Sequence, residues 1–188
     1  MKADRMYHSI RLLLCRTAVK RANYLRKHDL LGAIGENCRW GPWRLPLYPK
    51  LIRLGNNVVV HKKAVFVTHD MLNRFLAVAY PEKDFGSPER IGCIEVKDNV
   101  YIAMRTYILT NVRIGSNCVI TAGSVVTSDI PENSIATGNP AKPVGRFDMF
   151  AALRAMGKSG TKRFRNQELP DEICEEEWKK FYHRHDGV

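Results

Sequence analysis

No apolar run in this sequence lasts more than a few residues. A membrane-spanning helix needs about 20 in succession, so none is expected. In the N-terminal stretch MKADRMYHSIRLLLCRTAVKR the short apolar run is flanked by charge on both sides. It is too short for a signal-peptide core, and no small-residue cleavage site follows it, so a cytoplasmic location is expected. The five cysteines (Cys15, Cys38, Cys93, Cys118 and Cys174) are odd in number and widely spaced. With no CxxC pair and no Cys/His cluster, neither a disulfide framework nor a zinc site is expected, and all five read as structural.

Acidic residues are also scarce, 19 Asp and Glu against 30 Lys and Arg, for a formal charge of +11. Such an excess could serve nucleic acid, an anionic membrane or a phosphate-bearing ligand. It is concentrated in residues 1–30, which hold eight Lys or Arg against two Asp. No nucleic-acid motif accompanies it, so no nucleic-acid partner is expected and the basic residues read as a solvated helix face. Contact of this basic segment with a membrane surface is a weaker reading, because its apolar side has no Trp and little Phe.

What the chain has instead is a period of six. Val96, Ile102, Ile108, Ile114, Ile120 and Val126 follow one another at that spacing. Four residues beyond each stand Val100, Thr106, Val112, Cys118, Ser124 and Ile130, which are small or branched. The same phase runs through Leu54, Val60 and Phe66, with Val58 and Ala64 as companions, and begins at Ile34, Cys38 and Trp40. Between these two stretches RLPLYPKL shifts the register by two. A helix repeats its apolar face every three or four residues and a half-buried strand every two. Six fits a chain that turns a corner after each short strand, three strands to a coil, with the branched residue pointing into a narrow triangular core. Each coil then depends on the coils stacked on either side of it. Gly and Asn in LGNN, KDN and IGSN supply the corners. An ordinary β-sandwich does not account for the constant six.

With 45% apolar and 9% aromatic residues in 188, the chain reads as one folded domain. Its expected divisions are an N-terminal helical segment at 1–30, the β-coil at 31–146 and a C-terminal helical segment at 147–188. Residues 71–95 interrupt the series and return it in phase, as a loop thrown out from one corner. Met6, Ile10, Leu13, Leu14 and Ala18 form a helical stripe, and Asp171 to His183 reads as a helix with Ile173, Trp178, Phe181 and Tyr182 on its apolar side. Both helices are expected to cover ends of the coil.

The stretch IEVKDNVYIAMRTYILTNVRIGSNCVITAGSVVTSDIPENSIATGNPAKPVG resembles the hexapeptide-repeat acyltransferases. It is most similar to the branch of galactoside, maltose, xenobiotic and polysaccharide O-acetyltransferases, over roughly residues 34–146. AGSVVTSDIPENSIATGNPAK is the most specific segment. The resemblance implies an all-β core of left-handed parallel β-helix with an extended loop and terminal α-helices. It also implies a homotrimer with acetyl-CoA in clefts between subunits and a histidine base near the loop. His69, in FVTHD, matches that histidine. Ala122 and Thr127 match positions along the pantetheine path, and Lys142 matches a basic position near the nucleotide end. Arg146 joins it as a candidate, since coenzyme A carries phosphates that a guanidinium recognises. Met104 departs from the small residue usual at its position.

The chemistry implied is transfer of an acetyl group from acetyl-CoA to a sugar or glycan-precursor hydroxyl. A sugar hydroxyl holds its proton far above neutrality, whereas the thioester is already activated. An imidazole with an ordinary pKa near ~6.5 supplies what is missing, removal of the proton during attack. His61 is the rival base. Asp70 either orients His69, contacts the acceptor or starts the loop as a turn former. Tyr80 and Phe85, with Phe75, either stack on a sugar ring or pin the loop. His8, His28, His183 and His185 read as solvated. No metal is expected: carbonic anhydrases of this fold need three histidine ligands, and none lies between His69 and His183. Serine acetyltransferases carry a longer helical front. The alternatives that stay open are N-acetylation of an amino-sugar and a non-catalytic trimeric scaffold.

Overall fold

The computed structural model describes residues 2–157 and 169–186; part of the expected C-terminal helical segment, 158–168, lies outside the described residues. The chain opens with helices α1 (Lys2–Leu14) and α2 (Ala18–Lys27). It then enters strands β1 (Ala33–Ile34), β2 (Arg39–Trp40), β3 (Ile52–Leu54), β4 (Val59–Val60) and β5 (Val65–Phe66). An excursion follows, made of β6 (His69–Asp70), α3 (Leu72–Ala79) and β7 (Arg90–Ile91). The series resumes with β8 (Ile94–Val96), β9 (Val100–Ile102), β10 (Tyr107–Ile108), β11 (Val112–Ile114), β12 (Cys118–Ile120) and β13 (Val125–Val126). Strands β14 (Ser134–Gly138) and β15 (Ala141–Arg146) close it, before α4 (Phe147–Gly157) and α5 (Asp171–Asp186).

These short strands line up as three faces that the chain visits in turn. The first face is β1, β3, β8 and β11, the second β2, β4, β9, β12, β14 and β15, and the third β5, β10 and β13. Pairing is parallel throughout except between β14 and β15. Val96 pairs with Ile114 and Ile102 with Ile120, so one turn of the coil takes eighteen residues, three sixes. The first turn is longer by two: Ile34 pairs with Leu54 and Trp40 with Val60. The segment after Trp40 absorbs the difference, as the shifted register predicts.

Every residue of the six-fold series from Leu54 to Val126 is buried. The companions from Val58 to Ile130 are buried with them, including Thr106 and Ser124. The Thr106 hydroxyl donates to backbone carbonyls at Ala103 or Thr121, so the polar members of the core keep partners. At the corner between the first and second faces, Asn37, Asn57, Asn99, Asn117 and Asn133 all have φ between 54° and 58°. Asparagine tolerates this left-handed conformation better than other side chains do. Asn57 donates to the Asn99 carbonyl oxygen (3.0 Å) and Asn99 to that of Asn117 (2.9 Å), a side-chain ladder running down the corner.

The ends of the coil depart from expectation. α2 packs on β1 and β2, burying Ala22 and Leu25, while Arg21 donates to the Trp40 carbonyl. The stripe of α1 covers nothing among the described residues: Met6, Ile10, Leu13 and Leu14 are all more than half exposed, and the buried residue is Leu12 on the other side of the helix. His8 is hydrogen-bonded to the Tyr24 hydroxyl at 2.8 Å rather than solvated. Cys38 and Cys118 are core residues whose thiol pKa burial pushes up, but Cys93 is exposed. Chain contacts divide the protein into two units, Met1–Leu153 and Arg154–Val188. Within the second, α5 begins with Asp171 and Glu172 and ends with basic residues, as its dipole favours, and gathers Trp178, Phe181 and Tyr182. Among the described residues no helix is long and apolar enough to cross a membrane.

Candidate active site

The third face ends in the excursion, and the site begins there. β5 leads through Val67 and Thr68 to His69, where β6 pairs antiparallel with β7, setting His69 opposite Ile91 and Asp70 opposite Arg90. This two-stranded neck is fastened to the coil. The Gly92 N–H donates to the Thr68 carbonyl (2.9 Å), and the buried Thr68 hydroxyl donates to the Leu47 carbonyl (2.6 Å). The expected loop is therefore largely ordered structure, a neck topped by the helix α3 and a turn. Asn73 ties the turn down by donating to the carbonyls of Phe85 (2.8 Å) and Ser87 (2.9 Å).

His69 is half-buried, and its Nδ1 is buried without a hydrogen-bond partner. Tyr48 meets the imidazole edge to face, ring centroids 5.7 Å apart at 79°. Its hydroxyl donates to Glu89 Oε2 (2.7 Å) at the far end of the excursion. That hydrogen bond, first among the causes, raises the pKa of the Tyr48 phenol. Tyr48 holds φ 46° and ψ 53°, left-handed backbone in a bulky residue that also precedes a proline. Neither Tyr48 nor Glu89 stands out in the sequence. The available signal is an aromatic residue before proline inside RLPLYPKL, the segment that breaks the period.

Asp70 does not orient His69. Its Oδ1 accepts from the Leu72 N–H (3.0 Å), the turn that starts α3. Tyr80 ends α3, about half exposed, with the Lys83 ammonium 4.9 Å from its ring centroid. Phe85 is partly buried in the turn held by Asn73. His61 lies at the turn from the second to the third face, its Nδ1 also buried without a partner.

The residues matched to the donor fall along the two edges of the third face. Ala122 is exposed at the turn entering β13, and Thr127 is exposed at the turn leaving it. The row holding Thr127 continues through Leu109 to Val67, two residues before His69. Lys142 pairs with Thr137 at the end of the second face and is exposed. Arg146 differs from expectation: its guanidinium is engaged by Asp148, a hydrogen-bonded pair that raises the arginine pKa and lowers that of the carboxyl. Met104 is 39% exposed, and its carbonyl accepts from the Gly123 N–H. Beside it Arg105 has φ 58°, at the corner where the next turn has Gly123 at φ 76°. The sequence shows an arginine there and gives no hint of the conformation.

Residues 94–128 match the family described as Bacterial transferase hexapeptide (six repeats). A presumed acetyltransferase of Schizosaccharomyces pombe is 39% identical over 98 residues, covering 52% of this chain and 44% of that protein. One from Staphylococcus aureus strain Mu50 is 32% identical over 111 residues, covering 52% and 56%. The chain thus spans about half the length of these relatives. Among solved structures, a galactoside acetyltransferase in complex with coenzyme A superposes with a TM-score of 0.54 at 21% identity, over 87% of this chain and 88% of that one. A hexapeptide-repeat-containing acetyltransferase of Vibrio cholerae O1 biovar eltor, complexed with acetyl coenzyme A, gives 0.52 at 18%, over 77% and 86%. Residues 94–128 thus carry a hexapeptide repeat, and the fold is that of these acetyltransferases.

Proposed function

We propose that the protein is an acetyl-CoA-dependent O-acetyltransferase acting on a sugar or glycan-precursor hydroxyl, with His69 as general base, and that its coil winds left-handed. The observation that carries this reading is His69 itself, placed at the mouth of the excursion in a hexapeptide coil. Its Nδ1 is enclosed and its ring is wedged by Tyr48. With Nδ1 enclosed, Nε2 is the nitrogen left to meet a substrate. It takes the acceptor proton as the hydroxyl oxygen attacks the thioester carbonyl. When the carbon–sulfur bond breaks, the imidazolium returns that proton to the departing thiolate. Backbone N–H groups at coil corners would steady the oxyanion.

The donor is a substrate, and the third face suits it. Ala122 and Gly123 leave the corner open, with nothing within 4 Å of where a Gly123 Cβ would stand. Lys142 has no ion-pair partner among the described residues and is available for a phosphate. The two edges of the face are separate within one chain, so a cleft that uses both is formed by neighbouring copies of a trimer. The outward rows argue against the first face, and the edges carrying Ala122 and Thr127 choose the third. The first face carries Arg53, Glu95 and Arg113 in register, with Glu95 paired to Lys97 and Arg113, whereas the second carries Val59, Tyr101, Val119 and Ile135 and the third Val65, Tyr107 and Val125.

Replacing His69 by Ala tests the assignment. Free-thiol release from acetyl-CoA with a competent acceptor is expected to fall by about 100-fold or more, the usual worth of general base catalysis. A rate near that of the unaltered protein would show that the base lies elsewhere. The Met104–Arg105 corner is the one observation favouring a non-catalytic scaffold, because it fills a position left small in the next turn. Coenzyme A separates the two readings, since only a donor-binding protein gains thermal stability from it.

A further inference from the structure

We propose that the pocket at the turn entering β5 is a binding site for a sugar that carries a phosphate or a carboxylate. It lies in the first turns of the coil, at the corner whose next two turns carry Met104 and then Ala122, and His69 stands past the opposite end of β5. Its existence does not depend on acetyl transfer.

The pocket is a product of the two extra residues in the first turn. Gly41 sits directly on the Lys62 turn, where a Cβ would come within 2.3 Å of the Lys62 nitrogen. The chain then leaves the coil through GPWRLP, stiffened by a proline at either end. This bulge stands beside the turn that carries Lys62 and Lys63, and the space between them is the pocket. Trp40, 1% exposed, is fixed by stacking on Phe66, ring centroids 5.3 Å apart at 25°. Both rings line the pocket, together with Trp43, which is 50% exposed. The exposed half of the Trp43 indole is apolar surface that nothing among the described residues covers.

Arg44, Lys62 and Lys63 line the same pocket and no acidic residue does. None of the three has an ion-pair or side-chain hydrogen-bond partner among the described residues. Lys50 and Arg113, by contrast, have carboxylate partners in Asp29 and Glu95. Three unmatched cations around one concavity make its potential positive and favour an anion there. The combination selects among anions. A bare phosphate leaves the indole uncovered, and a neutral sugar leaves the cations unmatched. A sugar ring lays its C–H face on an aromatic plane, and a charged substituent on it reaches the guanidinium and ammonium groups. A polynucleotide is disfavoured because the feature is a single concavity rather than a basic stripe with successive aromatics.

The test is calorimetric titration of the full chain with four probes: glucose 6-phosphate, glucuronic acid, glucose and inorganic phosphate. At least one of the first two is expected to bind about tenfold or more tightly than both glucose and phosphate, a difference on the scale of one charge-assisted contact. The tighter of the pair identifies the anionic group. K62Q/K63Q and W43A are each expected to weaken that binding by about tenfold while leaving the melting temperature and coenzyme A binding unchanged. R44Q provides a further variant should W43A unfold. The proposal is overturned if no probe binds, if glucose or phosphate alone binds as tightly, or if the lysine variant binds normally. Competitive displacement of the sugar by coenzyme A also overturns it, since the pocket would then belong to the donor. Sugar binding in a protein that fails to bind coenzyme A would leave this site standing and remove only the acetyltransferase reading.

Discussion

Tyr48 keeps a left-handed backbone that costs a bulky residue about 1–3 kcal/mol. Such a conformation persists only where its surroundings over-determine it. Here the ring lies against His69, the hydroxyl is bonded to Glu89, and the carbonyl accepts from the Leu51 N–H. Tyr48 is therefore a positioning residue for the proposed base. Tyr48→Ala is expected to lower kcat by about tenfold or more through loss of the near-attack geometry. Tyr48→Phe, which keeps the ring and loses the Glu89 bond, should restore most of kcat and leave its deficit in the acceptor KM. Equal loss in both variants, with unchanged melting, would assign the effect to the hydroxyl instead. Arg105 shares the left-handed conformation without a matching set of contacts. Arg105→Gly is expected to stabilise the fold by about 1 kcal/mol, read as a raised midpoint in denaturant. The proposed base, His69, came from the family resemblance of FVTHD and from its place where the period stops. Tyr48 and Arg105 were not legible in the sequence, because left-handed backbone is marked there by Asn or Gly and these two positions carry neither.

The element that organises the coil is the corner rather than the strand. Strands of two or three residues can make few ladder bonds, so the direction of each new strand is set by the corner before it. Asn99 occupies the left-handed position in such a corner and bonds both ways along the ladder, accepting from Asn57 and donating to Asn117. Asn99→Ala is expected to cost about 2 kcal/mol, from left-handed strain together with two lost side-chain bonds. Asn99→Gly should recover the strain portion and cost about half as much, so that denaturant midpoints rank wild type, Gly, Ala. Equal costs would mean that strain contributes nothing at this corner. The coil was readable because its period arises from geometry that every turn repeats: six residues fill one side of the prism, and a branched side chain must point inward once per side. The excursion was less readable. Its length kept the phase, but the α3 helix and the neck are held by Asn73, Asp70 and Gly92, single contacts without a period. The stripe on α1 was visible as a pattern, yet pattern alone did not reveal that Leu12 would be the buried residue.

At the scale of the molecule, the first face of the prism has a charged outward row and the other two have apolar ones, and this limits how copies can meet. A row of arginine and glutamate, as on the first face, is satisfied by water and by its own ion pairs, and burying it would forfeit that solvation. The row Val65, Tyr107 and Val125 has no such demand, and its central Tyr107 is 46% exposed in the single chain. Burial of this row supplies the association free energy for the proposed trimer, and it sets the two edges of the face, with His69 near one and Ala122 on the other, within reach of neighbouring copies. Tyr107→Glu places a charge at the centre of that row without touching the core, because the side chain points outward between the buried Thr106 and Ile108. Sedimentation is expected to show a trimer for the unaltered protein and monomer for the variant, with the far-ultraviolet circular dichroism of the coil retained. Thiol release should fall together with the trimer, because neither edge holds a complete site by itself. A variant that sediments as a monomer and still turns over at full rate would place the whole reaction within one chain, and the pairing of His69 with a neighbour's donor edge would have to be abandoned.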